Sequence, residues 1–230
     1  MLRSFLFLHW KAVRFGLIPF ILAAFGLPLL AVQGAMPGAV DPSMATVRGA
    51  TFLSHLSAWL GLFPLLATVT GVVMALSAWT WDHRGEHVYA LTLPLARWKY
   101  VGLKMGAGVL LLLVPTLAFW LGCLLATSAL EIPEGLRAYP NAVAFRFFLS
   151  ALVLYALLFA LAAGTMRTAL WILGGFVALV ILGGILPPFL ADTFVPALEG
   201  WSFFGWFLDA ALEWPGPFEV LTGNWMLVDV

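Results

Sequence analysis

MGAGVLLLLVPTLAFWLGCLLATSAL, residues 105–130, contains no Asp, Glu, Lys or Arg. As a helix it would be about 39 Å long, enough to cross the roughly 30 Å hydrocarbon core of a bilayer. Four more stretches share the property: Phe15–Val40, Gly49–Trp81, Phe147–Met166 and Thr168–Ala191. Leu, Ala and Phe dominate them without period-two alternation, which favours helices over a membrane barrel. The composition agrees. Hydrophobic residues make up 63% of the 230 positions and charged residues 10%, against about 25% charged in a soluble domain. Mean hydropathy is +1.03. So few charges cannot cover a water-facing surface. The expected fold is an all-α, polytopic transmembrane helix bundle, one domain over 1–230, with spans near 15–33, 53–79, 102–128, 145–165 and 168–189. A formal net charge of zero excludes a basic nucleic-acid binder. The single cysteine, Cys123, forms no internal disulfide and reads as apolar filler.

The span ends have local causes. Gln33-Gly34-Ala35-Met36-Pro37-Gly38 reads as a turn, Glu131-Ile132-Pro133-Glu134-Gly135 closes span three, and Pro187-Pro188 stops span five. Pro19, Pro28, Pro64 and Pro115 fall inside spans, where neighbouring helices can re-satisfy a freed carbonyl. Ala31-Val32-Gln33-Gly34-Ala35 is a poor signal-peptidase site, so span one is read as retained. Basic residues mark the cytoplasmic side. Eight of the eleven fall before span one, around the loop between spans two and three, or between spans four and five. Nine of the eleven acids fall on the other side. The N-terminus is therefore expected inside. The 190–230 tail, acidic and rich in Trp and Phe, is expected outside, with Gly200–Trp214 as a short interfacial or re-entrant helix.

Two polar segments stand out. Leu2–Arg14 looks amphipathic: Arg3, Lys11 and Arg14 share one face at 100° per residue, which predicts an interfacial elbow helix over 1–14. The loop from Asp82 to Lys104, WDHRGEHVYALTLPLARWKYVGLK with its leading Trp81, is the largest cytoplasmic feature. Pro94 ends any helix begun at Asp82. A short helix near 82–92, parallel to the membrane, would be a docking element for a soluble partner.

Other chemistry is thinly supported. His83, Glu86 and His87 form an H-x-x-E-H string, which on a helix could hold zinc for a membrane-embedded hydrolase. Gly85 weakens that helix, and His9 and His55, the remaining histidines, offer no nearby third ligand. Ser57, Ser77, Ser128 and Ser150 lack a G-x-S-x-G setting and read as serines that bond back to helix carbonyls or pack. No P-loop occurs. Gly102-x-x-x-Gly106, Gly174-Gly175 and Gly183-Gly184 would permit close helix approach. The spans carry no midplane carboxylate, so transport by this chain would be powered from outside the membrane. Uniformly apolar spans suit a lipid, drug or peptide better than a small ion. A non-catalytic membrane accessory protein is the remaining reading.

The loop decides among these. Glu86, Leu93, Pro94, Leu95, Arg97, Tyr100 and Lys104 follow the pattern that permease subunits of ABC-2-type ATP-binding-cassette transporters show after span two, and the chain resembles that family over about residues 1–190. The resemblance implies a transport subunit rather than an enzyme. It pairs with a second permease subunit in the bacterial inner membrane and binds a cytosolic ATPase, which carries the ATP and Mg; this chain needs no cofactor of its own. The loop at 82–100 would be the coupling element, with Glu86 through Leu93, Tyr89 among them, touching the ATPase, Pro94 and Arg97 fixing the return to the membrane, and Tyr100 and Lys104 completing the family pattern as span three opens. Arg3, Lys11 and Arg14 would lie on the family's elbow helix. Family members have six spans, with re-entrant helices before the sixth and a cytoplasmic C-terminus. Five are read here, with Gly200–Trp214 in the re-entrant position and the sixth missing, as in a chain truncated at its C-terminus.

Overall fold

The computed structural model describes residues 2–33, 53–84 except 58 and 60, 96–163 except 131, 133 and 134, the single positions 167, 171, 174 and 175, and 218–229. Four long helices dominate: α1 (Leu2–Gln33), α2 (Leu62–Arg84), α3 (Arg97–Ser128) and α4 (Pro140–Ala162). Beyond them lie β1 (Arg137–Ala138), the single-turn α5 (Glu219–Thr222) and β2 (Val228–Asp229). Four stretches are long and apolar enough to cross a membrane: Val13–Gln33, Trp98–Ser128 and Pro140–Ala162, which lie within α1, α3 and α4, and Leu53–Thr80, which begins before α2 and runs into it. In the last of these a helical turn at 53–57 precedes α2, and the Leu62 N–H donates to the Trp59 carbonyl between them. The described residues thus form a mostly helical bundle whose long apolar helices suit a membrane, in keeping with the composition. The expected fifth span and the re-entrant segment lie outside the described residues.

Helix is the form that lets apolar sequence cross lipid, because every backbone N–H and C=O is satisfied within the segment. The prolines obey the same accounting. Pro140 opens α4 and Pro64 sits in the first turn of α2, where the N–H would have no intrahelical acceptor anyway. Pro19, Pro28 and Pro115 lie inside α1 and α3.

Three helix lead-ins differ from expectation. Helix α1 runs through Arg14–Phe15 without interruption, so the amphipathic segment and the first span are one element. Helices α3 and α4 begin at Arg97 and Pro140, each about a turn before the expected spans. At 1.5 Å per residue α1 and α3 are each about 48 Å long, well beyond the hydrocarbon thickness, so both overhang it or tilt.

The helices associate as two parallel pairs. Gly122 of α3 lies against the Phe25 carbonyl of α1, and Lys104 acts on His9 further along the same two helices. In the other pair Gly71 of α2 lies against the Ala151 carbonyl of α4, and Trp79 Nε1–H donates to the Phe159 carbonyl at 3.0 Å. The pairs are joined antiparallel by α3 and α4. Phe119 stacks on Phe147 at 4.4 Å, Phe63 meets Phe119 edge-on at 5.4 Å, and Tyr155 Oη–H donates to the Met105 carbonyl at 3.2 Å. Cys123 is buried in this core. All starts of α1 and α3 and all finishes of α2 and α4 therefore share one end, called the near end below.

At the far end the C-terminal segment docks on the start of α4. Strands β1 and β2 pair antiparallel, Arg137 opposite Asp229 and Ala138 opposite Val228. The Tyr139 N–H donates to the Leu227 carbonyl at 2.9 Å, and Ser150 Oγ–H to the Val220 carbonyl at 3.1 Å. Trp225, Leu227 and Val228 are buried there. Ala163 and Phe218 consequently sit at opposite ends of α4.

Candidate functional site

The chain between Arg84 and Ala96 leaves and rejoins the bundle at the near end, because α2 finishes and α3 starts there. Of the residues singled out in this loop, Glu86, Tyr89, Leu93 and Pro94 lie outside the described residues, as do His87 and the side chain of His83. Arg97 opens α3, with its side chain likewise outside. Tyr100 and Lys104 follow one and two turns later, and both are buried. On α1, the side chain of Arg3 is outside the described residues, while Lys11 and Arg14 are exposed.

Lys104 is 7% exposed, which is rare for a lysine without strong compensation. Its Nζ stands 4.1 Å from the centroid of the Trp79 ring and 5.4 Å from that of Tyr100. A desolvated cation over the electron-rich face of Trp gains about 2 kcal/mol or more. Trp79 is itself fixed by its bond to the Phe159 carbonyl and by a tilted contact with the Phe159 ring at 5.1 Å. Helix α1 reaches the same place through His9, 6% exposed, whose Nε2 makes no hydrogen bond. The four helix ends are therefore linked through one small cluster: His9 from α1, Trp79 from α2, Tyr100 and Lys104 from α3, and Phe159 from α4.

The electrostatics of His9 follow from its place. Burial among the helices pushes the imidazole down to about 4, the Lys104 charge adds to that effect, and the Met74 carbonyl opposes it. A base whose folded-state value lies below its unfolded value favours the folded state less as the pH falls, because the unfolded chain takes up the proton first. Stability should be constant above about pH 7 and decline between about 6.5 and 4, by on the order of 2–3 kcal/mol. His9→Phe should flatten that decline. Thermal midpoints of the detergent-solubilised protein from pH 7.5 to 4 check it, and an identical decline in both proteins would refute it.

The far end offers a different arrangement. A cavity of about 250 Å³ is lined by Tyr139, Arg146, Asn224, Met226 and Asp229, with Ala142 and Val143. Arg146 Nη2 lies 3.5 Å from Glu219 Oε1, while Nη1 is buried against Gly223 without a hydrogen-bond partner. Asn224 Nδ2–H donates to Asp229 Oδ2 at 2.6 Å. Arg146, in the second turn of α4, thus braces the C-terminal segment. Both charges of the Arg146–Glu219 pair keep partial exposure, so the pair contributes little by itself.

The four serines behave as read. Ser57, Ser77 and Ser128 donate to carbonyls three residues back in their own helices. Ser150 ties α4 to the C-terminal segment instead. No group of three or more His, Cys, Asp or Glu able to hold a metal occurs among the described residues. His9 and His55 lie at opposite ends of the bundle. Comparison with family models, with curated proteins and with solved structures returned no match for this chain.

Proposed function

We propose that this chain is the membrane-spanning permease subunit of an ABC-2-type transporter, moving its substrate when a separate cytosolic ATPase engages the loop between α2 and α3. One observation carries the reading beyond the loop's residue pattern. Lys104 and Tyr100, at the loop's return to the membrane, are built into a cluster that reaches all four helix ends. A push on the loop would therefore be felt by the whole bundle and not by α3 alone. The distribution of basic residues supports a cytoplasmic N-terminus and loop, and the family resemblance supports a bacterial inner membrane.

Purification of the chain from its native membrane in mild detergent, with mass spectrometry of co-eluting proteins, tests the proposal. The expected result is a stoichiometric soluble subunit carrying a Walker A motif. Arg97→Ala should then leave insertion intact and reduce substrate-stimulated ATP hydrolysis by the complex. A chain that elutes without an ATPase, under conditions that keep a control transporter assembled, overturns the reading. Bound zinc in that sample would turn attention to His83, Glu86 and His87.

A further inference from the structure

We infer that the near end carries a collar for anionic phospholipid head groups, formed by Lys11 and Arg14 of α1 and Lys99 of α3. On α1, Phe7, Lys11, Arg14, Ile18 and Leu22 are all exposed and recur every three or four residues, so they form one stripe. Within about 10 Å along the helix that stripe turns from cationic to wholly apolar. Phe15, 74% exposed, marks the change. Helix α3 repeats the arrangement. Trp98, 73% exposed, and the exposed Lys99 occupy its first turn, and Leu110, Leu113, Leu117, Leu121 and Leu125 are exposed further along.

Each end of the collar pairs a cation with an exposed ring. The Arg14 guanidinium carbon is 4.6 Å from the Phe15 centroid, and Lys99 Nζ is 5.4 Å from that of Trp98. Aromatic rings of this kind settle at the head-group level, and long basic side chains beside them reach for phosphate. The charges are also unbalanced. Among the described side chains the carboxylates are those of Glu219 and Asp229, both at the far end, and the ion pair there involves Arg146. By sequence the side read as cytoplasmic holds eight of the eleven basic residues against two acids, Asp82 and Glu86, and such an excess of cations fits a negatively charged surface. The continuity of the same stripe into lipid-facing leucine and isoleucine favours a membrane over an acidic soluble protein, which would have to displace lipid to cover Phe15. The collar does not depend on the transport reading.

Titration of the detergent-solubilised protein with phosphatidylglycerol or phosphatidylcholine in mixed micelles, read by thermal midpoint and by lipid retained in native mass spectrometry, tests the inference. Phosphatidylglycerol should bind and stabilise, and phosphatidylcholine should not. Lys11→Gln, Arg14→Gln and Lys99→Gln should each weaken that binding about fivefold, and the triple variant on the order of a hundredfold. Arg137→Gln, an exposed change at the far end, should leave it unaltered. Wild-type lipid binding by the triple variant overturns the collar. Full competition by inorganic phosphate would make it a site for a free anion. Tighter binding of a polyglutamate peptide than of phosphatidylglycerol would make it a protein interface. Either result overturns the membrane assignment.

Discussion

Gly71→Val and Gly122→Val should each destabilise the bundle by about 3 kcal/mol or more, at the upper end of what overpacking costs. In lipid the helices gain nothing from leaving water, so close van der Waals packing must hold them together. The closest approaches of a glycine to another helix's backbone fall at these two residues. A Cβ at Gly71 would overlap the Ala151 carbonyl and press on the Tyr155 amide, and one at Gly122 would overlap the Phe25 carbonyl. These obstacles are backbone, so a neighbouring side chain cannot relieve them by changing rotamer. Whole helices must move apart, and each parallel pair loses its contact along several turns. Unfolding in mixed detergent–SDS micelles measures the effect. Gly102→Ala and Gly106→Ala supply the control, because no atom lies within 4 Å of a Cβ added at either position. They should be neutral or stabilising by up to about 1 kcal/mol, since Ala is the better helix former. Equal losses in both sets would mean that the pairing of α1 with α3 and α2 with α4 is wrong.

That contrast shows what the sequence could and could not reveal. Gly102-x-x-x-Gly106 has the spacing associated with helix contact, yet it faces open space in the single chain, while Gly71 and Gly122 lie at the centres of Ala67-x-x-x-Gly71-x-x-x-Ala75 and Ala118-x-x-x-Gly122-x-x-x-Ala126, small-residue repeats of the same spacing that do meet a helix. Spacing says that a face is small; it does not say which helix comes to meet it. Four of the five expected spans were legible because bilayer thickness imposes a length, and α1 and α3 end at Gln33 and Ser128, where the turn signals that follow set the expected span ends. Starts were less legible. A helix carries Arg97 or Arg146 in its opening turns without difficulty, so counting from the last charge placed α3 and α4 too late. Pro140 was the signal for the second of these, a residue suited to a first helical turn. The elbow at 1–14 came from three cations on one face. Periodicity fixes the face of a helix and leaves open whether it bends at Arg14.

Long-range partners left no local trace. Nothing near Arg146 announces Glu219, and nothing near His9 announces Lys104. Lys104 itself was legible only as part of a loop pattern. Its burial depends on Trp79, a residue that the composition alone would have assigned to the interfacial belt. Such convergence of distant positions is set by how helices pack, which hydrophobic patterning specifies only as an apolar face.

Trp79→Ala should cost about 4 kcal/mol, the usual loss for removing a buried Trp. Three contributions combine: the cavity left among α2, α3 and α4, the lost bond to the Phe159 carbonyl, and the lost aromatic face beneath Lys104. Trp79→Phe separates them, because it keeps an aromatic ring for the ammonium group and removes the N–H; its cost should be about 1–2 kcal/mol. A cycle with Lys104→Met isolates the cation's share, and a coupling of about 1–2 kcal/mol is expected for a desolvated pair. This number bears directly on function. Lys104 belongs to the residue pattern of the α2–α3 loop, and Trp79 is anchored to α4, so their coupling measures how firmly the loop's return is fastened to the opposite pair of helices. A coupling near zero would remove Trp79 as the link between Lys104 and α4. Force on the loop would then have no route through this cluster into α2 and α4, and the argument from geometry for a permease would fail with it.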